Sequence, residues 1–174
     1  MTKTKKPEVW LRGPLEGTPV LLQPIAHALL QAREEVNELM EGFDAKKLSD
    51  RPANVASVGF HLQHLTGVLD RLLTYARGEV LTENQLNSLQ KEGTVANTPT
   101  TLTALLIAFN AQVDLALAQI NATAPESLPE VRKVGRAGIP STVMGLLTHV
   151  AEHTMRHVGQ LHVTVKIVQA GISD

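Results

Sequence analysis

Apolar residues recurring at three- and four-residue steps limit most strongly what this chain can fold into. In "NVASVGFHLQHLTGVLDRLLTYARG", Val58, Leu62, Leu65, Leu69, Leu72 and Ala76 fall on one side of a helix. That periodicity predicts a helix from about Asn54 to Arg77, with Gly78 as a natural stop. Three other segments repeat the pattern between Pro, Gly and Asn punctuation. "PIAHALLQAREEVNELMEGF" predicts a first helix from Pro24 to Phe43; a start at Pro19, capped by Thr18, is the alternative. Thr98 and Pro99 read as the cap and first residue of a third long helix, "TTLTALLIAFNAQVDLALAQI". Pro140 and Ser141 open a fourth, which ends near Gly171.

Between these lie a capping-box signature, "TENQ" at Thr82 to Gln85, which predicts a short helix, and the loop "KEGTVANTPT". The stretch from Asn121 to Pro140 holds scattered prolines, glycines and charges and reads as an irregular crossover. Strand-like alternation is weak. The expected fold is all-α: a four-helix bundle with a short extra helix after the second and a long crossover before the last. At 174 residues it reads as one domain over 1–174, with 1–18 an irregular amino-terminal segment.

Several function classes are set aside by composition. The net charge is −1 and no basic run exceeds "KTKK", so no cationic face for nucleic acid is expected. No uninterrupted apolar stretch approaches the roughly 20 residues of a membrane span, and no apolar core follows the first lysines as in a secretory signal. The expectation is a cytoplasmic protein with neither nucleic-acid nor membrane partner. With no Cys, the chain has no thiolate ligand or nucleophile of its own.

The fourth helix carries "HVAEHTMRHVGQLH", four of the chain's seven histidines. On a helical wheel, His157 lies about 40° from the centre of the apolar face and His153 about 80°, with His149 about 120° away. Residues four apart are neighbours on a helix, so His153 and His157 present imidazoles side by side, an arrangement suited to a divalent ion. The second helix brings His61 and His64; the wheel places His61 about 65° from the apolar centre and His64 about 125° away. Burial alone favours His61, a ligand between two helices favours a flank, and periodicity leaves the choice open. Glu152 precedes His153, so the H-E-x-x-H pattern of zinc proteases is absent. No Glu has a His three residues later, as di-iron bundles require. A mononuclear site is the better reading.

These blocks resemble the DinB-like (DinB/YfiT-like) superfamily of metal-dependent bacterial proteins. "SVGFHLQHL" resembles the family's Ser-led stretch ending in His and Leu or Ile, and aligns His64 with a metal ligand. "HVAEHTMRHVGQL" resembles its HxxxHxGQ pattern and aligns His153 and His157 with the other two. The resemblance runs from about residue 20 to 170. It implies a four-helix bundle, a divalent ion (zinc or nickel) on three histidines with water completing the shell, and a homodimer. Relatives include transferases and isomerases that use thiols such as bacillithiol, mycothiol or glutathione. An open three-histidine ion lowers the pKa of bound water or of a thiol. The preferred reading is therefore a metal-dependent S-transferase joining a low-molecular-weight thiol to a small electrophile. A metal-dependent hydrolase and a non-catalytic metal-binding or oligomeric bundle are the alternatives, and no catalytic residue is assigned.

Other residues draw structural readings. Gln160 is either a support for the ligands or a polar contact between helices. Glu152 and Arg156 read as a solvated i,i+4 pair, Asp70 and Arg71 as helix-surface charges, His27 as structural, and Trp10 and Tyr75 as packing residues.

Overall fold

The computed structural model describes residues 6–171. The expectations for residues 1–5 of the amino-terminal segment and for 172–174 lie outside this range. Seven labelled elements follow in order: α1 (Gln23–Met40), α2 (Val58–Ala76), α3 (Glu83–Gln90), α4 (Pro99–Ala122), β1 (Val131–Val134), β2 (Ile139–Thr142) and α5 (Val143–Ala170). The fold is mostly helical with one small sheet.

Each long helix begins where the sequence supplies a start. Pro24 sits in the first turn of α1, where its missing N–H costs nothing, and a 3₁₀ turn over Val20–Leu22 leads in from Pro19. The Ser57 hydroxyl accepts from Phe60 N at the head of α2, and Thr98 accepts from Thr101 N at the head of α4. In α3, Thr82 and Gln85 complete the reciprocal capping box. Helix α2 starts later than Asn54 because Ala53 and Asn54 both adopt positive φ, which a helix cannot contain.

The crossover differs from the sequence expectation. Residues 131–142 form an antiparallel hairpin, Val131 opposite Thr142 and Val134 opposite Ile139. Gly135 and Gly138 supply the positive φ of its turn. Pro140 and Ser141 therefore belong to β2, and Thr142 is the cap of α5, accepting from Gly145 N. A proline is tolerated there because a two-stranded sheet has only edge strands. Arg132 Nε donates to Ala76 O at 2.9 Å and fastens the hairpin to the end of α2.

All the buried apolar residues except Val9 form one core. Leu29, Ala32 and Val36 of α1, Leu62, Leu65 and Leu69 of α2, Phe109 and Val113 of α4, and Leu147, Val158 and Leu161 of α5 meet there. Helix α1 packs on α4 and α5, and α2 packs on the same two. The α2–α5 seam decides the site, because each of those helices carries a histidine pair at that junction.

Helix α4 is long and apolar enough, by length and composition, to cross a membrane. Its sequence interrupts that character with Asn110, Gln112, Asp114 and Gln119. Its inner face is buried at Phe109, Val113, Ala116 and Ile120, and Asp114 pairs with Arg33. Trp10 departs from its packing expectation: it is 61% exposed, with its indole N–H donating to Glu8. Tyr75 does pack against the core, and His27 Nε2 lies 3.1 Å from Gly13 O, a structural contact.

Candidate metal centre

Two helical spacings, three residues on α2 and four on α5, bring four imidazoles to one seam. His64 Nε2 lies 3.0 Å from His153 Nε2. The His64 ring centroid is 4.3 Å from that of His157, and His153 is 4.6 Å from His157. One ring nitrogen from each of His64, His153 and His157 lies within 4.8 Å of the other two. All three side chains are half-buried.

His61 has a different place. It is only 2% exposed, as the wheel's burial preference implies, and it stands outside the triplet. Its Nδ1 is 3.2 Å from His157 Nδ1, so it supports a neighbouring imidazole. Burial and position at the seam are thus separated: the flank residue, His64, faces the α5 pair.

The second nitrogen of His64 is fixed by a residue that periodicity does not find. His64 Nδ1 is 2.7 Å from Glu92 Oε2, and Glu92 Oε1 accepts from Arg71 Nη1 at 2.6 Å. The Glu92 side chain is only 7% exposed. Its burial raises the carboxyl's pKa, but the hydrogen bonds from His64 and Arg71 outweigh that and hold it below the usual value. An ionised carboxylate only accepts, so the hydrogen-bond network assigns the His64 proton to Nδ1. Nε2, the other ring nitrogen, faces His153 at 3.0 Å. Phe60 stacks on the His64 ring at 5.2 Å and nearly parallel.

Electrostatics keeps the other rings neutral. Burial, reinforced by neighbouring His64, lowers His61 to about 4. Burial lowers His157 to about 4 as well, with His64, His153, His61 and Arg156 adding to it. Burial and His64 lower His153. Neutral imidazoles are the protonation state a metal requires of its ligands.

The donor set fits a divalent ion. Three imidazole nitrogens suit zinc or nickel chemistry, and tetrahedral zinc at about 2.0–2.1 Å from each ligand would set nitrogens roughly 3.3 Å apart. The 3.0 Å separation of His64 and His153 needs only a small opening to match. A second group, His149, Glu152 and His153, is more exposed and shares His153 with the first. Its Glu152 is already engaged by His149 at 2.7 Å and by Arg156 at 2.6 Å, the latter being the expected i,i+4 pair.

Beside the cluster lies a cleft of about 550 Å³ lined by Val55, His61, Arg156, Gln160, Thr164 and Ile167, among others. Gln160 is exposed on this rim and contributes to the cleft. Arg71 departs from the surface reading: its side chain is 9% exposed and bound to Glu92. Arg71 could have been suspected, since a charge within the apolar run of α2 needs a buried partner. Glu92, lying in a loop without periodicity, gave no such signal.

Among curated proteins none matches this chain. A family model described as the DinB superfamily matches residues 28–161, which include His61, His64, Glu92, His153 and His157. With the two histidine pairs joined across the α2–α5 seam inside that match, the chain belongs to the DinB superfamily.

Proposed function

We propose that this chain is a divalent-metal protein in which His64, His153 and His157 hold one zinc or nickel ion, and that it transfers a low-molecular-weight thiol to a small electrophile. The observation that carries the reading is the 3.0 Å approach of His64 Nε2 to His153 Nε2, with His157 completing the group. When bound, the ion would make a thiol or water nucleophilic near neutral pH. The chain's own part is to bring three imidazoles together, orient them, and admit a small molecule beside them. Because the sequence has no Cys, the thiol comes from a cosubstrate. The cleft beside His61 and Arg156 supports entry of a small molecule.

The mutual packing of the four long helices supports a four-helix bundle as the architecture. The same reading takes the protein as a cytoplasmic homodimer. The outer face of α4 supports the homodimer, because Ile107 and Leu115 stand more than 60% exposed there and offer a second copy an apolar surface.

Elemental analysis of the purified protein beside His61→Ala, His64→Ala, His153→Ala and His157→Ala tests the ligand set. The expected result is near-stoichiometric metal in the parent, a large loss in each of the last three variants, and retention in His61→Ala. Retention in a folded His64→Ala protein with loss in His61→Ala would overturn the choice of ligand on α2. Thiol conjugation to small electrophiles by the loaded protein is the expected activity. Hydrolysis without added thiol, or inactivity across thiols and electrophiles, would contradict the transferase reading. Light scattering on the same samples is expected to give twice the chain mass; a monomer would contradict the dimer.

A further inference from the structure

The loop between α3 and α4 runs along α2 in a track made of residues at i, i+4 and i+8. At one end, a Cβ on Gly59 would stand 2.5 Å from Val95 Cγ2 and 3.0 Å from Leu48 O, so Val95 seats where only glycine leaves room. One turn on, the Gln63 amide grips the loop backbone twice: Oε1 accepts from Gly93 N at 2.7 Å, and Nε2 donates to Thr94 O at 3.1 Å. At the far end, a Cβ on Gly67 would stand 2.6 Å from Glu92 Oε1 and 2.5 Å from Arg71 Nη1. The helix is cut away where the Arg71–Glu92 pair lies. The loop's one carboxylate is thereby delivered to His64 Nδ1, on the side of the ring away from His153.

We propose that Glu92 is a positioning residue for the metal centre: clamped by Arg71 in the space left by Gly67, it fixes the tautomer and ring direction of His64 so that Nε2 is the ligand atom. This deepens the metal-binding reading and rests on it. Carboxylates that accept from the distal N–H of a ligating histidine orient the ring and raise its basicity, and their loss costs about 10- to 100-fold in metal affinity. A loop anchor alone would need no histidine as partner. Here one carboxylate oxygen goes to the clamp and the other to the imidazole.

The test uses zinc as the probe, with dissociation constants from chelator competition on the full chain, and the His64 tautomer from ¹⁵N–¹H NMR on the metal-free protein. Circular dichroism confirms folding. Glu92→Ala is expected to weaken zinc binding about 10- to 100-fold and to move the His64 proton partly from Nδ1 to Nε2. Glu92→Gln keeps an acceptor and loses the charge, so it should fall between that variant and the parent. Gly67→Ala touches no ligand yet displaces the clamp, and is expected to weaken zinc in the same direction. Should Glu92→Ala fail to fold, Glu92→Gln and Gly67→Ala decide. Zinc affinities within about threefold of the parent's in the folded variants, with a purely structural loss of thermal stability, would overturn the proposal. So would an unchanged His64 tautomer in folded Glu92→Ala. A parent that takes up no zinc would sink the metal reading instead, and the tautomer comparison would still decide whether Glu92 sets His64.

Discussion

His64 commits its Nδ1 proton to Glu92, His157 shares its Nδ1 with His61, and His153 Nδ1 is buried with no hydrogen-bond partner among the described residues. These three nitrogens therefore see three different environments. This has a consequence for pH. In the unfolded chain, His61 and His157 titrate near the ordinary value of 6.5; in the folded chain burial holds both to about 4. Between those values the unfolded state binds more protons, so acid favours unfolding. The metal-free protein is expected to keep this stability above pH 6.5 and lose it progressively as pH falls towards 4. Glu92 acts in the same direction at the acid end, since its pKa is also depressed. Urea midpoints across that range measure the effect; a flat profile from pH 6.5 to 4 would contradict it. The α5 pair was legible in the sequence because i,i+4 spacing survives any detail of packing. On α2 periodicity left the choice open, because a wheel reports burial and His61 is the more buried of the two; the resemblance of "SVGFHLQHL" to the family's stretch pointed to His64. Only the neighbouring helix distinguishes a ring that faces a partner cluster from one that props it up.

The long helices were legible as elements because each has a side-chain cap, a proline or a glycine at its ends and a continuous apolar face. The hairpin was not: its strands have four residues each, with Arg132, Lys133 and Pro140 among them, too little for alternation to register. Its cost to the sequence reading was a helix start placed two to three residues early. Thr142 ends β2 and also caps α5, the helix that carries His153 and His157. Thr142→Ala removes that cap and is expected to destabilise the protein by about 1 kcal/mol, or a fall of about 2–4 °C in melting temperature for a domain of this size. Metal stoichiometry should not change, because His153 lies roughly three turns further along the helix. An unaltered melting temperature would mean that strand pairing, rather than the hydroxyl, holds the start of α5.

At the scale of the whole molecule, the core of α1, α2, α4 and α5 places α2 against α5 and leaves the loop before α4 lying on α2. Three separate parts of the chain thus meet at one point: the α2 histidines, the α5 histidines and the carboxylate of Glu92. Periodicity made the helical class readable, since four apolar faces must bury one another. Which loop residue arrives at the seam depends on glycine clearances on α2 that no pattern of hydrophobicity records. The proposed site is a single cation shared by imidazoles of α2 and α5. Anomalous diffraction from crystals of the zinc-loaded protein, collected on both sides of the zinc edge, tests it most directly. The predicted result is one strong peak per chain at the α2–α5 seam, within about 2.0–2.1 Å of a nitrogen from each of His64, His153 and His157. A peak elsewhere, or one touching the α5 histidines without His64, would contradict it.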